Sequence, residues 1–108
     1  MSVLFEVTEG STAWLDVSFY GKDGALETPA TVVYEIWDVA SGTQIKGETS
    51  LPSASQVEIT LSSADNRILG QEHFREARKA IVTASYSGSE KLIQDYVYHV
   101  RNIDYKST

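Results

Sequence analysis

Six short runs along the chain place apolar residues at every second position: Val3-Phe5-Val7, Leu15-Val17-Phe19, Val32-Tyr34-Ile36, Val57-Ile59-Leu61, Ala80-Val82-Ala84-Tyr86 and Tyr96-Tyr98-Val100. A period of two belongs to a strand whose successive side chains point to opposite faces, so each run offers one face to a core and the other to water. Gly, Ser, Asp or Pro closes each run, as expected where the chain must turn. The pattern predicts strands over residues 2–8, 12–20, 31–38, 56–61, 77–86 and 92–101, with a weaker strand over 43–49 at a sheet edge. The segment 31–38 is the clearest of these, being β-branched and aromatic nearly throughout.

Alternation also assigns faces. In the second strand Ala13, Leu15, Val17 and Phe19 share the core face, leaving Trp14, Asp16, Ser18 and Tyr20 opposite. In the third, Val32, Tyr34 and Ile36 point inward, and Val33, Glu35 and Trp37 point out. Trp14, Tyr20 and Trp37 are therefore the candidate interaction residues, because exposed aromatics are enriched where proteins meet partners. The stretch from Ser62 to Gly70 breaks the pattern. Ser62 and Ser63 each have an acidic or amide residue three positions on, and Gly70 is a natural stop, so a short helix is expected near residues 63–69. Its Ile68 and Leu69 would plug one end of the core. The sequence leaves open whether the helix continues from Gln71 to Arg78, where strong helix formers recur.

A chain of 108 residues corresponds to one domain, residues 1–108, able to bury a core without staples. It has no Cys, which excludes a thiol nucleophile, a thiolate metal site and a disulfide framework together and fits folding in a reducing compartment. No run approaches the roughly 18 consecutive apolar residues of a membrane span, and the N-terminus lacks a basic segment followed by an apolar one, so a soluble chain without an export signal is expected. The formal charge is −6, from nine Lys and Arg against fifteen Asp and Glu, and disfavours nucleic acid as a partner. Arg75, Arg78 and Lys79 are the one basic cluster, read as a solvated loop or turn balanced by Glu72 and Glu76.

Candidate chemistry is sparse. His73 and His99 lie far apart with no neighbouring Cys, and Asp23-Gly24 follows Lys22 where a calcium loop would need a carboxylate, so no metal and no cofactor is expected. There is no GxSxG turn and no phosphate-cradling glycine loop. Glu35 and Asp16 are carboxylates on outward faces, where alternation places them in almost every strand, and they do not mark a glycosidic pair. The residues point away from an enzyme.

The segments Val7-Thr8-Glu9-Gly10-Ser11-Thr12-Ala13-Trp14-Leu15-Asp16-Val17, Val32-Val33-Tyr34-Glu35-Ile36-Trp37-Asp38, Val57-Glu58-Ile59-Thr60-Leu61-Ser62-Ser63-Ala64-Asp65-Asn66 and Tyr96-Val97-Tyr98-His99-Val100-Arg101-Asn102 together resemble small immunoglobulin-like proteins encoded by tailed bacteriophages and prophages. The resemblance implies an immunoglobulin or fibronectin-III-like β-sandwich of about seven antiparallel strands, without the Cys pair of antibody domains. It further implies a non-enzymatic virion structural protein, decorating or cementing a capsid or joining head and tail. Such a protein would be assembled in the host cytoplasm and held in several copies by contacts with coat, connector or tail protein, with neither membrane nor nucleic acid as partner. The alternatives are a host-surface or carbohydrate-binding module using Trp14 and Trp37, or a bacterial protein-interaction domain. On any of these readings the tail beyond Asn102 is expected to be ordered by a partner.

Overall fold

The computed structural model describes residues 3–70, 72–87 and 89–103. The expected tail beyond Asn102, apart from Ile103, lies outside the described residues. Seven strands follow in order: β1 (Val3–Thr8), β2 (Ala13–Ser18), β3 (Thr31–Asp38), β4 (Gln44–Leu51), β5 (Gln56–Leu61), β6 (Arg75–Ser85) and β7 (Lys91–Arg101). They form a five-stranded sheet, ordered β1-β7-β6-β3-β4, and a two-stranded sheet, β2-β5. The 31–38 and 56–61 strands match the alternating pattern to the residue. β4 lies at a sheet edge, where the weakness of its pattern places it.

Both sheets feed one core. Leu15, Val17, Ile59 and Leu61 from the small sheet share a single buried cluster with Val32, Tyr34, Ile36, Ala80, Val82, Ala84, Tyr98 and Val100 from the large one. Phe5 of β1 stacks on Tyr98 with ring centroids 5.2 Å apart. Burial of one such aliphatic side chain contributes roughly 1.5–3 kcal/mol, so the cluster supplies the main driving force for closing the two layers.

Two expectations are corrected. Not every strand is antiparallel: β1 runs parallel to β7, pairing Val7 with Val100 and Thr8 with Arg101. The alternating pattern of β1 sets which side chains face the core but is silent on strand direction.

The helix expected near 63–69 is absent, and no helix is present among the described residues. The reason is a substitution of hydrogen-bond partners. Ser62 and Asp65 do form a reciprocal cap, with Asp65 N–H donating to Ser62 Oγ and Ser62 N–H to Asp65 Oδ2, and Asn66 N–H closes one turn onto the Ser62 carbonyl. A helix would next join Leu69 N–H to the Asp65 carbonyl and Gly70 N–H to the Asn66 carbonyl. Both amides go to the Glu76 carboxylate instead, at 2.9 and 3.0 Å, while the Asp65 carbonyl accepts from Arg78 and the Asn66 carbonyl from Gly10 N–H. Two side chains of β6 thus satisfy the loop that a helix would have satisfied by itself. The residues beyond it, from Arg75 on, are strand and not a helical continuation.

Candidate interaction surface

The expected solvated cluster of Arg75, Arg78 and Lys79 does not exist as such. All three lie in β6, and alternation sends them to different faces. Arg78 is 0 % exposed. Its Nε donates to Asp38 Oδ1 at 3.0 Å, Nη1 to the Asp65 carbonyl at 3.1 Å, and Nη2 to the Arg67 carbonyl at 2.7 Å and to Glu76 Oε1 at 2.5 Å. A planar guanidinium with five donors in a fixed fork can serve four acceptors at once, which an ammonium cannot do in this geometry.

The two carboxylates are equally engaged. Asp38 Oδ2 accepts from both the amide and the hydroxyl of Ser41, closing the β3–β4 turn. Burial pushes the Asp38 carboxyl up, but the Ser41 bonds and the Arg78 charge outweigh it, and its pKa ends below 3.8. Glu76 shows the same competition: burial raises it, the Leu69 and Gly70 amides, His73 and Arg78 lower it, and its pKa ends below 4.5. His73 Nδ1 lies 2.6 Å from Glu76 Oε2, and that contact holds the imidazole pKa above 6.5. Beside this group Tyr98 donates its hydroxyl to Asn66 Oδ1, and Asn66 Nδ2 donates to the carbonyls of Ser11 and Leu61. The result is a buried polar plug at one end of the two-layer core, where the sequence pattern predicts an apolar plug of Ile68 and Leu69. Ile68 is buried there, but Leu69 is exposed.

Every polar atom of the Arg78 side chain is spent on a structural acceptor, and Tyr98, whose phenol is pushed well above its usual range by burial, serves Asn66. No group of three metal-ligating side chains converges among the described residues. A signal for the network was available in the sequence, since Glu76 and Arg78 keep the same parity as Ala80, Val82 and Ala84. Extending the inward face by two inward positions toward the N-terminus would have buried them.

The surface that remains is the outer face of the five-stranded sheet. Register places Ile81 at its centre, between Glu35 on β3 and Asp95 on β7, with Thr83 and Lys79 beside it along β6. Its four diagonal neighbours are Val33 and Trp37 on β3 and Ile93 and Val97 on β7. Diagonal positions on adjacent strands are within reach of long side chains. The face therefore carries an apolar cross interleaved with polar positions: Ile93 is 65 % exposed, Val33, Trp37 and Ile81 are half-buried, and Val97 is buried. Next to it, Glu35, Trp37, Asp38, Val39, Gly42, Lys79 and Ile81 line a hollow of about 340 Å³.

The three aromatic candidates are not brought together. Trp37 is half-buried on this outer face. Trp14, 58 % exposed, stands on the outer face of the small sheet, which is the opposite side of the two-layer core. Tyr20 lies beyond the end of β2, bridged to Leu26 and 55 % exposed. A single site built from Trp14 and Trp37 is geometrically excluded. The chain matches no protein-family model, no curated protein and no solved structure.

Proposed function

We propose that this chain is a non-enzymatic contact protein of a phage particle, an immunoglobulin-like sandwich attached in several copies to coat, connector or tail protein through the outer face of its five-stranded sheet. The observation that carries the reading is the apolar cross, whose accessible members Val33, Trp37, Ile81 and Ile93 lie on a face that an isolated antiparallel sheet would normally leave polar. Its polar intervals, Glu35 and Asp95 on either side and Lys79 below, provide the charged positions that fix register in a contact. The immunoglobulin-like assignment is supported by strand order: β7-β6-β3-β4 corresponds to the G-F-C-C′ order of that fold, and β2-β5 to its B-E pair. The resemblance of the sequence to phage immunoglobulin-like proteins supplies the setting. Repeated presentation on a lattice makes a modest single contact sufficient, because each added copy binds at high effective concentration.

The test is mass spectrometry of purified particles produced with the wild-type chain and with Ile93→Lys. The wild type is expected in particles at stoichiometric level, and the variant, folded but carrying a charge on the cross, is expected to be lost from them. Absence of the wild-type chain from particles overturns the virion reading; equal retention of Ile93→Lys overturns the choice of face.

A further inference from the structure

At the end of the molecule remote from the Arg78 network, the β2–β3 connection and the β6–β7 turn enclose a cleft of about 460 Å³, lined by Tyr20, Lys22, Asp23, Glu27, Tyr86, Glu90 and Lys91 among others. That volume lies within the ~300–1,000 Å³ of small-molecule sites. Its position is a consequence of the fold: β2 and β6 end on the same side, and their following loops rise as two lips. The Lys22 ammonium and the Glu90 carboxylate span the lips at 3.9 Å, and both are highly exposed, so the pair opens at little cost.

Several of the lining groups make no hydrogen bond within the described residues, although burial and the Glu27 carboxylate together hold the Tyr86 phenol above 10.0. Among the described residues the Tyr20 hydroxyl, the Glu27 carboxylate and the Lys91 ammonium make no hydrogen bond or ion pair, and the Tyr86 hydroxyl is shielded from solvent without any partner. A shielded hydroxyl without a partner calls for an explanation where it occurs. Gly21 lies beside Glu27: a Cβ there would stand 2.6 Å from Glu27 Oε1 and would displace that flexible carboxylate. Asp23, by contrast, is partly used, accepting from Ala25 N–H at 3.0 Å.

The composition of the wall decides the ligand class. Three carboxylates face two ammonium groups, so an anion and a cation each meet their own sign. The carboxylates do not converge as a metal site would require. What the cleft does offer is two tyrosine side chains, Tyr20 and Tyr86, among both donors and acceptors. That is the complement of a ring with an apolar C–H face and a rim of hydroxyls, each of which both donates and accepts.

We propose that this cleft binds a neutral polyhydroxylated ring, a single pyranose sugar residue, with Tyr20 as its platform and Glu27 and Lys91 bonding its hydroxyls. The site is separate from the outer sheet face and stands or falls independently of it. The test is an amide NMR titration of the full chain with the methyl glycosides of glucose, galactose, mannose and N-acetylglucosamine at millimolar concentration, with glycine and sodium acetate as charged probes. At least one glycoside is expected to give saturable shifts confined to residues 20–27 and 86–91. Tyr20→Ala and Glu27→Gln are each expected to weaken binding by about tenfold or more, equivalent to ~1.4 kcal/mol, whereas Trp14→Ala leaves it unchanged. No saturable shift with any of the four glycosides overturns the proposal. So do shifts outside the cleft, shifts that survive both variants, or equal responses to glycine or acetate.

Discussion

Replacing Arg78 by Met separates the buried-network description of β6 from a solvated basic cluster. The substitution keeps a long flexible side chain in the same space while removing the charge and all five donors. It strands the Asp38 and Glu76 carboxylates, both buried, together with the carbonyls of Asp65 and Arg67. Breaking a buried charge pair by removing one partner costs ~3–5 kcal/mol, since the remaining charge is left uncompensated. The stability of a small domain is only about 5–15 kcal/mol, so the variant is left with a fraction of it or none. An exposed arginine in a loop, in contrast, would change stability by no more than ~0.5 kcal/mol.

Urea denaturation followed by tryptophan fluorescence reads this difference directly. With a slope of about 1.5 kcal/mol/M, a loss of ~4 kcal/mol moves the midpoint down by roughly 2.5 M. Arg78→Lys retains the charge but not the fork, and its midpoint should fall between those of the wild type and the Met variant. The losses should persist in 0.5 M salt (about 4 Å Debye length), because screening acts weakly on buried pairs. Amide exchange adds a local readout: Leu69 and Gly70, held only by Glu76, should lose protection first. A midpoint shift below about 0.5 M for Arg78→Met would refute the reasoning, whatever Arg78→Lys does.

Other consequences can be measured on the same protein. The His73 imidazole should titrate above 6.5 by NMR and return toward 6.5 in Glu76→Gln, since Glu76 is the main cause of its displacement. Asp38 and Glu76 have depressed folded values, so their contribution is complete above 3.8 and 4.5 and is lost as pH falls through the lowered values; urea midpoints should drop steeply in that acid range and the drop should be shallower in Asp38→Asn. His73 has the opposite sign: its contribution is complete below 6.5 and disappears as pH rises through its raised value, so the wild-type midpoint should decline as pH rises through that value while that of His73→Asn stays level. Tyr98→Phe leaves the buried Asn66 Oδ1 without its donor and should cost ~1–3 kcal/mol by denaturation. Trp14→Ala should change stability by less than about 1 kcal/mol, given its exposure.

The alternating runs made the strands legible because period two is a local property, carried by each segment whatever it packs against. Residues 31–38 and 56–61 illustrate this: every second side chain is inward, and no tertiary information is needed to see it. Three features were not local. The parallel pairing of β1 with β7 depends on where two distant segments meet. The missing helix at 63–69 depends on Glu76 and Arg78, which lie outside the window that signals it and take the hydrogen bonds it would have used. The burial of Arg78 depends on compensation by Asp38, which is 40 residues away in sequence. A charged residue in phase with Ala80, Val82 and Ala84 reads as a conflict until its partners are known. Of the interaction candidates, exposure of Trp14 and Tyr20 followed from alternation, but their separation on different faces and ends could follow only from how the sheets stack. The cleft lined by Tyr20, Glu27, Tyr86, Glu90 and Lys91 was invisible for the same reason, being made by two connections that the strands bring side by side.

The polar plug and the outer face are mechanically linked through one residue. Asp38 ends β3 one position after Trp37, so its side chain points inward while Trp37 points out. Its Oδ1 is fixed by Arg78 and its Oδ2 by Ser41, which sets the path of the β3–β4 turn. Gly42 of that turn, at φ 72°, and Val39 then form the wall of the hollow beside Trp37, Lys79 and Ile81. The buried ion network therefore shapes the rim of the proposed contact face without being part of it. A face whose rim is already held loses less freedom on association, and the entropy lost in ordering mobile loops weighs against binding. A charged network is an expensive way to fill a core, since apolar residues of similar volume often stabilise as well or better. Its retention at this end of the sandwich, directly behind the turn that borders the apolar cross, is accounted for if what it contributes is a fixed surface as well as stability.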